Sequence, residues 1–238
     1  MLSFLSLADV ISLLNTTLGF LAIVVLLSDL IDWEPLRIKV SFSLILLALI
    51  ADGLDGVVAR KYGKSEIGGY LDSMADMTST CIATSVFIYM IYLGKNLTPV
   101  SSHVYEHVAL LLVLILFLSL GTVRLVSFHL LKNKHYFIGF PAPAGAILLL
   151  TVAYLKIDFI YILLVIFITS IAMVANIRFP KPGFKIGAIA TILIFFTFIN
   201  FLLAGSYYSI GPQALLTALL IYVIAGPIYV KFFVKEGQ

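Results

Sequence analysis

The sequence predicts an all-α integral membrane protein, a single transmembrane domain over residues 1–238 with about eight spans. Two observations carry that prediction. The chain is 62% hydrophobic and only 11% charged, with a mean hydropathy of +1.14, whereas a soluble domain is about half apolar and about a quarter charged. The apolar residues also gather into runs of about 20, the length at which a helix crosses roughly 30 Å of hydrocarbon. A net charge of +3 is too small to suggest nucleic acid as a partner, and a lone Cys81 excludes an internal disulfide.

The first run, roughly 8–28, follows "MLSFLSLADV", which has neither a basic n-region nor a small-residue cleavage site, so it is expected to remain as a span. The second and third, 38–60 and 68–94, carry aspartates at one end and are joined by a short connection. The fourth, 104–131, bears Arg124 near its end. The fifth, 141–156, opens on Pro141 and Pro143, which a first helical turn tolerates. Only "LKID" separates it from the sixth, 157–177, and runs at 184–204 and 211–233 complete the set.

If the N-terminus is cytoplasmic, eleven cations fall on that side: Arg60, Lys61, Lys64, Arg124, Lys132, Lys134, Arg178, Lys181, Lys185, Lys231 and Lys235. Four, Arg37, Lys39, Lys95 and Lys156, fall on the other. By the positive-inside rule both termini are cytoplasmic and the number of spans is even, which six would satisfy as well as eight. The pairs Lys132–Lys134 and Lys181–Lys185 read as topology signals and contacts to anionic bilayer lipids. His103, His107, His129 and His135 are scattered through or near loops and read as interfacial.

The segment "ADGLDGVVARKYGKSEIGGYLDSMAD" places Asp52, Asp55, Asp72 and Asp76 in the midst of this apolar chain. Asp52 and Asp55 are three apart and Asp72 and Asp76 four apart, so each pair shares a helix face. An aspartate at a membrane helix centre costs about 2.5–3.5 kcal/mol, and like charges at close range add repulsion. A divalent cation resolves both. Ligands that are all carboxylates suit a hard ion, Mg²⁺ or Mn²⁺, and the absence of His and Cys from the segment argues against zinc. Two such ions, about 3.5–4 Å apart, would clamp a phosphoryl group during in-line displacement. Gly56 and Gly68 let a ligand approach the backbone, Ala59 keeps the same face shallow, and Arg60 is a fixed cation suited to phosphate. Helix packing is the alternative reading of the small residues.

The order Asp-x2-Asp-Gly-x2-Ala-Arg followed by Gly-x3-Asp-x3-Asp resembles the signature of the CDP-alcohol phosphotransferase family, on Asp52, Asp55, Gly56, Ala59, Arg60, Gly68, Asp72 and Asp76. Seven residues separate Arg60 from Gly68, one fewer than is usual in the family, and using Gly69 instead would break Gly-x3-Asp. The resemblance implies a six-helix core, usually a homodimer, that binds a CDP-linked lipid and two divalent metals at the aspartates. It implies Asp76 as general base on the incoming alcohol, whose oxygen attacks the lipid-attached phosphorus as CMP leaves. It also implies a site open to the cytoplasm and to the bilayer, here of the plasma membrane.

Three more stretches narrow the resemblance to the phosphatidylserine synthase branch: "LLNTTLG" (13–19), "GTVRLVSFHLLKNKHYFIGFPAPAGA" (121–146), with Phe140 where that branch has Leu, and "ANIRFPKP" (175–182). The last 50 or so residues carry no recognised motif. The implied substrates are CDP-diacylglycerol or its ether counterpart CDP-archaeol, and L-serine. Arg124 is the candidate for the serine carboxylate or a substrate phosphate through a bidentate contact, with a structural ion pair to an aspartate as the alternative. Asn15 is a candidate nucleotide contact, or else an interhelical hydrogen bond. Two rivals stand beside serine transfer. One keeps the chemistry with glycerol 3-phosphate, inositol phosphate or another alcohol as acceptor. The other, a divalent-cation transporter, explains the carboxylates but not the Gly-Ala-Arg spacing.

Overall fold

The computed structural model describes residues 5–63, 65–93, 104–130, 136–181, 184–203 and 210–233. Lys64, Lys95, Lys132, Lys134, Lys235, His103 and His135 lie outside the described residues, as do the side chains of His129 and Lys185. The chain divides into two compact units, Met1–Leu97 and Thr98–Gln238.

In the first unit, α1 (Leu7–Leu27) opens with a capping box. Ser6 Oγ accepts from Asp9 N at 3.3 Å, and Asp9 Oδ2 accepts from Ser6 N at 2.7 Å, satisfying two amides that the helix start leaves orphaned. The buried face of α1 reads Ala8, Ser12, Asn15, Gly19, Ala22 and Leu26, one residue every three or four, and it packs on α2 (Glu34–Tyr62). Next comes a continuous helix, Gly68–Leu93, built from α3 (Gly68–Asp76), a π-helical stretch (Met77–Ala83) and α4 (Thr84–Leu93). The π stretch touches α1 where Gly19 has no side chain. A Cβ there would lie 2.7 Å from the Cα of Ser79, so only glycine permits this backbone approach.

In the second unit, α5 (Val104–Leu130) packs on α7 (Phe159–Val174), while α6 (Ala142–Tyr154) and α8 (Phe184–Leu203) pack on α9 (Ile210–Phe233). Pro141 is the N-cap of α6 and Pro143 sits in its first turn. Between α6 and α7, Lys156 turns the chain at φ 52, so the "LKID" run is a genuine break. Two three-residue strands, β1 (Tyr136–Ile138) and β2 (Arg178–Pro180), stand outside the expected all-helical pattern. They pair antiparallel, Tyr136 opposite Pro180 and Ile138 opposite Arg178. The ribbon continues into Gly139, whose amide donates to Ile177 O at 2.7 Å. Gly139 has φ +83, and a Cβ on it would overlap the Met173 carbonyl oxygen, so glycine is required on both counts.

Each of the eight expected spans is a helix among the described residues. Five are long and apolar enough to cross a membrane: Leu7–Leu27, Glu34–Tyr62, Gly68–Leu93, Val104–Ser127 and Ile210–Phe232. Ala142–Tyr154, Phe159–Val174 and Gly187–Phe201 are shorter apolar helices. The protein is an all-α, multi-pass membrane protein.

Candidate active site

Helical periodicity puts Asp52 and Asp55 on one face of α2, and Asp72 and Asp76 on one face of the next helix. The fold brings these faces together. One carboxylate oxygen from each of Asp52, Asp72 and Asp76 lies within 4.8 Å of the others. Among the described residues this is the only group of three or more potential metal-ligating side chains, and it contains neither His nor Cys. Asp72 and Asp52 also act electrostatically on Asp55, which lies outside this grouping.

Helix α1 holds two of the four aspartates from the side. Asn15, fully buried, donates through Nδ2 to Asp76 Oδ1 at 3.2 Å. Ser12 Oγ donates to Asp55 Oδ2, both residues being buried. Ser12 Oγ lies 3.2 Å from the carbonyl of Ala8 as well. A hydroxyl has one proton, and the shorter contact to a carboxylate is the stronger claim on it. Ser12 escaped the sequence reading. Its signal was the small and polar stripe Ala8, Ser12, Asn15, Gly19 on a helix otherwise rich in Leu, Ile and Val.

Around the carboxylates, Arg60 is exposed and Ala59 half-buried. A Cβ built on Gly56 would meet only Arg60 Nη1, at 3.7 Å, among the described residues. Among the described residues no neighbouring helix presses on Gly56, and its face lies beside the Arg60 cation. Gly68 begins α3, its amide donating to Ser65 O at 3.2 Å.

Arg124 belongs to the second unit. It is buried, its Nε donates to Phe140 O at 3.4 Å, and its guanidinium lies 6.0 Å from the centre of the Phe137 ring. The ribbon is rich in such contacts: Lys181 Nζ lies 5.1 Å from the Phe137 ring and Arg178 lies 5.1 Å from the Tyr136 ring. The stretches 121–146 and 175–182, far apart in sequence, thus meet in one cationic and aromatic ribbon.

Three carboxylate oxygens gathered this closely within helices that cross a membrane repel one another when ionised, a cost that a bound cation or a shared proton offsets. An all-oxygen donor set fits a hard divalent ion.

The chain is similar to known proteins over most of its length. Residues 5–179 match the model of the CDP-alcohol phosphatidyltransferase family. A Methanocaldococcus jannaschii protein named CDP-diacylglycerol–serine O-phosphatidyltransferase is 34% identical over 183 residues, covering 76% of this chain and 77% of that one. An archaetidylserine synthase of Methanothermobacter thermautotrophicus is 29% identical over 187 residues, 75% of this chain and 71% of its own. A Helicobacter pylori CDP-diacylglycerol–serine O-phosphatidyltransferase is 30% identical over 171 residues, 66% of this chain and 68% of its own. The chain belongs to the CDP-alcohol phosphatidyltransferase family.

Proposed function

We propose that this protein transfers the phosphatidyl or archaetidyl group of a CDP-linked lipid to the hydroxyl of L-serine and releases CMP. The observation that carries the reading is the grouping of Asp52, Asp72 and Asp76 within 4.8 Å, in a chain of this family. The names of its relatives support serine as acceptor over glycerol 3-phosphate or inositol phosphate. Membership of a transferase family leaves the transport reading without support.

In this reading Asp52, Asp55, Asp72 and Asp76 hold two Mg²⁺ or Mn²⁺ ions. When bound, such ions neutralise the diphosphate and draw electron density from its phosphorus. Gly56, Ala59 and Gly68 leave room for the nucleotide, and Arg60 offers its charge to a phosphate. Asp76 takes the proton of the serine hydroxyl. The serine oxygen then bonds to the lipid-attached phosphorus, the bond from that phosphorus to the CMP oxygen breaks, and CMP departs with the electron pair. Asn15 fixes the plane of the Asp76 carboxylate through Oδ1, which keeps the base from rotating away from its proton donor. Arg124 receives the serine carboxylate. In the same reading residues 1–238 are a single transmembrane domain, a homodimer in the plasma membrane, surrounded by bilayer lipids, with termini and site facing the cytoplasm.

The test is incubation of purified protein with CDP-diacylglycerol or CDP-archaeol and a panel of alcohols, reading CMP and lipid product. Serine-dependent CMP release with a serine-containing lipid product is expected. CMP release with glycerol 3-phosphate or inositol phosphate but not with serine would reassign the acceptor.

A further inference from the structure

Helix α9 lies beyond residues 5–179, which the family model matches, and carries no recognised motif. It is nevertheless built against the ribbon. Tyr222 Oη donates to Pro180 O at 3.0 Å across 42 residues of sequence, and its ring lies 6.0 Å from that of Phe179. One turn further along, Gly226 lets α9 come close: a Cβ there would lie 3.0 Å from Pro180 Cδ. Phe179 in turn packs at 5.2 Å on Phe140, whose carbonyl receives Arg124 Nε. Arg124 and Tyr222 are also electrostatic neighbours.

An arginine recognises a carboxylate through a planar fork, and the fork works only when its plane is fixed. The Arg124 side chain is long, and its bond to Phe140 O limits its rotation. Phe140 O is part of the backbone that runs on from β1, and β1 is fixed by β2. The end of β2 is held by the Tyr222 hydroxyl.

We propose that Tyr222 is a positioning residue for the acceptor: its hydroxyl holds the Pro180 end of the ribbon, and the ribbon holds the Phe140 carbonyl that aligns Arg124. The proposal rests on the reading of Arg124 as the partner of the serine carboxylate. It places a determinant of acceptor affinity on the last helix.

Tyr222→Phe deletes the hydroxyl and keeps the ring. Losing one such hydrogen bond raises the KM for serine about two- to ten-fold, while the KM for the CDP-lipid and kcat at saturating serine stay near wild type. Serine methyl ester, which lacks the carboxylate charge, shows no matching rise. Arg124→Lys alone raises the serine KM more, and adding Tyr222→Phe to it changes little further, because residues acting through one contact are not additive. Gly226→Ala, which pushes on Pro180, shifts the same constant and carries the test if Tyr222→Phe is not recovered folded.

If Arg124→Lys raises the serine KM while Tyr222→Phe and Gly226→Ala do not, the positioning role is overturned and the Arg124 reading survives. If Arg124→Lys leaves the serine KM unchanged, that reading fails and the proposal falls with it. Additive effects in the double variant, or a loss of thermal stability with unchanged KM, reduce Tyr222 to packing of α9 and reject the role.

Discussion

The acidic cluster of the first unit and the ribbon of the second hold their polar side chains by different means. In the first, side chain holds side chain: Ser12 binds Asp55 and Asn15 binds Asp76, all on helices. In the second, side chains are held by backbone carbonyls: Arg124 by Phe140 O and Tyr222 by Pro180 O, at the irregular ribbon between helices. The first unit gathers negative charge and the second stacks cations on aromatic rings. A metal site needs ligands rigid to within a fraction of an ångström, and regular helices braced by a neighbouring helix supply that. The ribbon holds its arginine through a main-chain carbonyl, a group that every residue type carries. Under the proposed function, metal and CDP-lipid belong to the acidic unit and the choice of acceptor to the ribbon.

The sharpest way to break this comparison is to remove a ligand charge. Asp52→Asn, Asp55→Asn or Asp72→Asn keeps nearly the same shape but loses the negative charge, and each is expected to abolish turnover while the protein still inserts and purifies. Near-normal CMP release by all three at saturating Mg²⁺ and Mn²⁺ would remove the acidic unit from the chemistry. Asp76→Asn tests whether one member of that unit does more than bind. It should keep measurable CDP-lipid affinity by calorimetry and lose CMP release, because three carboxylates remain while the base is gone. Turnover close to wild type would show that Asp76 is not the base.

A smaller effect is expected at the ribbon. Arg124→Lys keeps the charge and loses the fork, at a cost of about 1.5–3 kcal/mol for a charge-assisted hydrogen bond. The serine KM should rise roughly ten- to a hundred-fold with the CDP-lipid KM little changed. A rise confined to the CDP-lipid KM would assign Arg124 to a lipid phosphate and erase the division of labour. The smallest change concerns the brace. Ser12→Ala leaves Asp55 Oδ2 without its hydroxyl donor, and the Mn²⁺ concentration giving half-maximal activity should rise about ten-fold. Ser12→Thr, which retains the hydroxyl, should restore it, and an unchanged Mn²⁺ requirement in Ser12→Ala would make Ser12 a packing residue only.

The two regions also differed in how far the sequence revealed them. Asp52 to Asp76 lie on two consecutive helices joined by a short loop, so the helical period alone placed both pairs on shared faces. Ser12 was hidden because a serine in an apolar helix is usually bonded to its own backbone, as Thr16 and Thr17 are here. The π stretch after Asp76 was hidden because no residue pattern distinguishes it from an α-helix in "MTSTCIA". The ribbon was out of reach for a different reason. Strands of three residues are too short to show alternation, and their partner lies beyond two intervening helices. The motifs at 121–146 and 175–182 were visible separately, and only the fold shows that they are one structure that α9 closes over.

The claim that the carboxylates of the first unit hold a metal is tested most directly by Mn²⁺ binding to purified protein, followed by the electron paramagnetic resonance of the free ion. The account predicts that wild type and Arg124→Lys deplete the free Mn²⁺ signal alike, whereas Asp72→Asn leaves most of it in solution. Binding by Asp72→Asn as tight as that of wild type would contradict it.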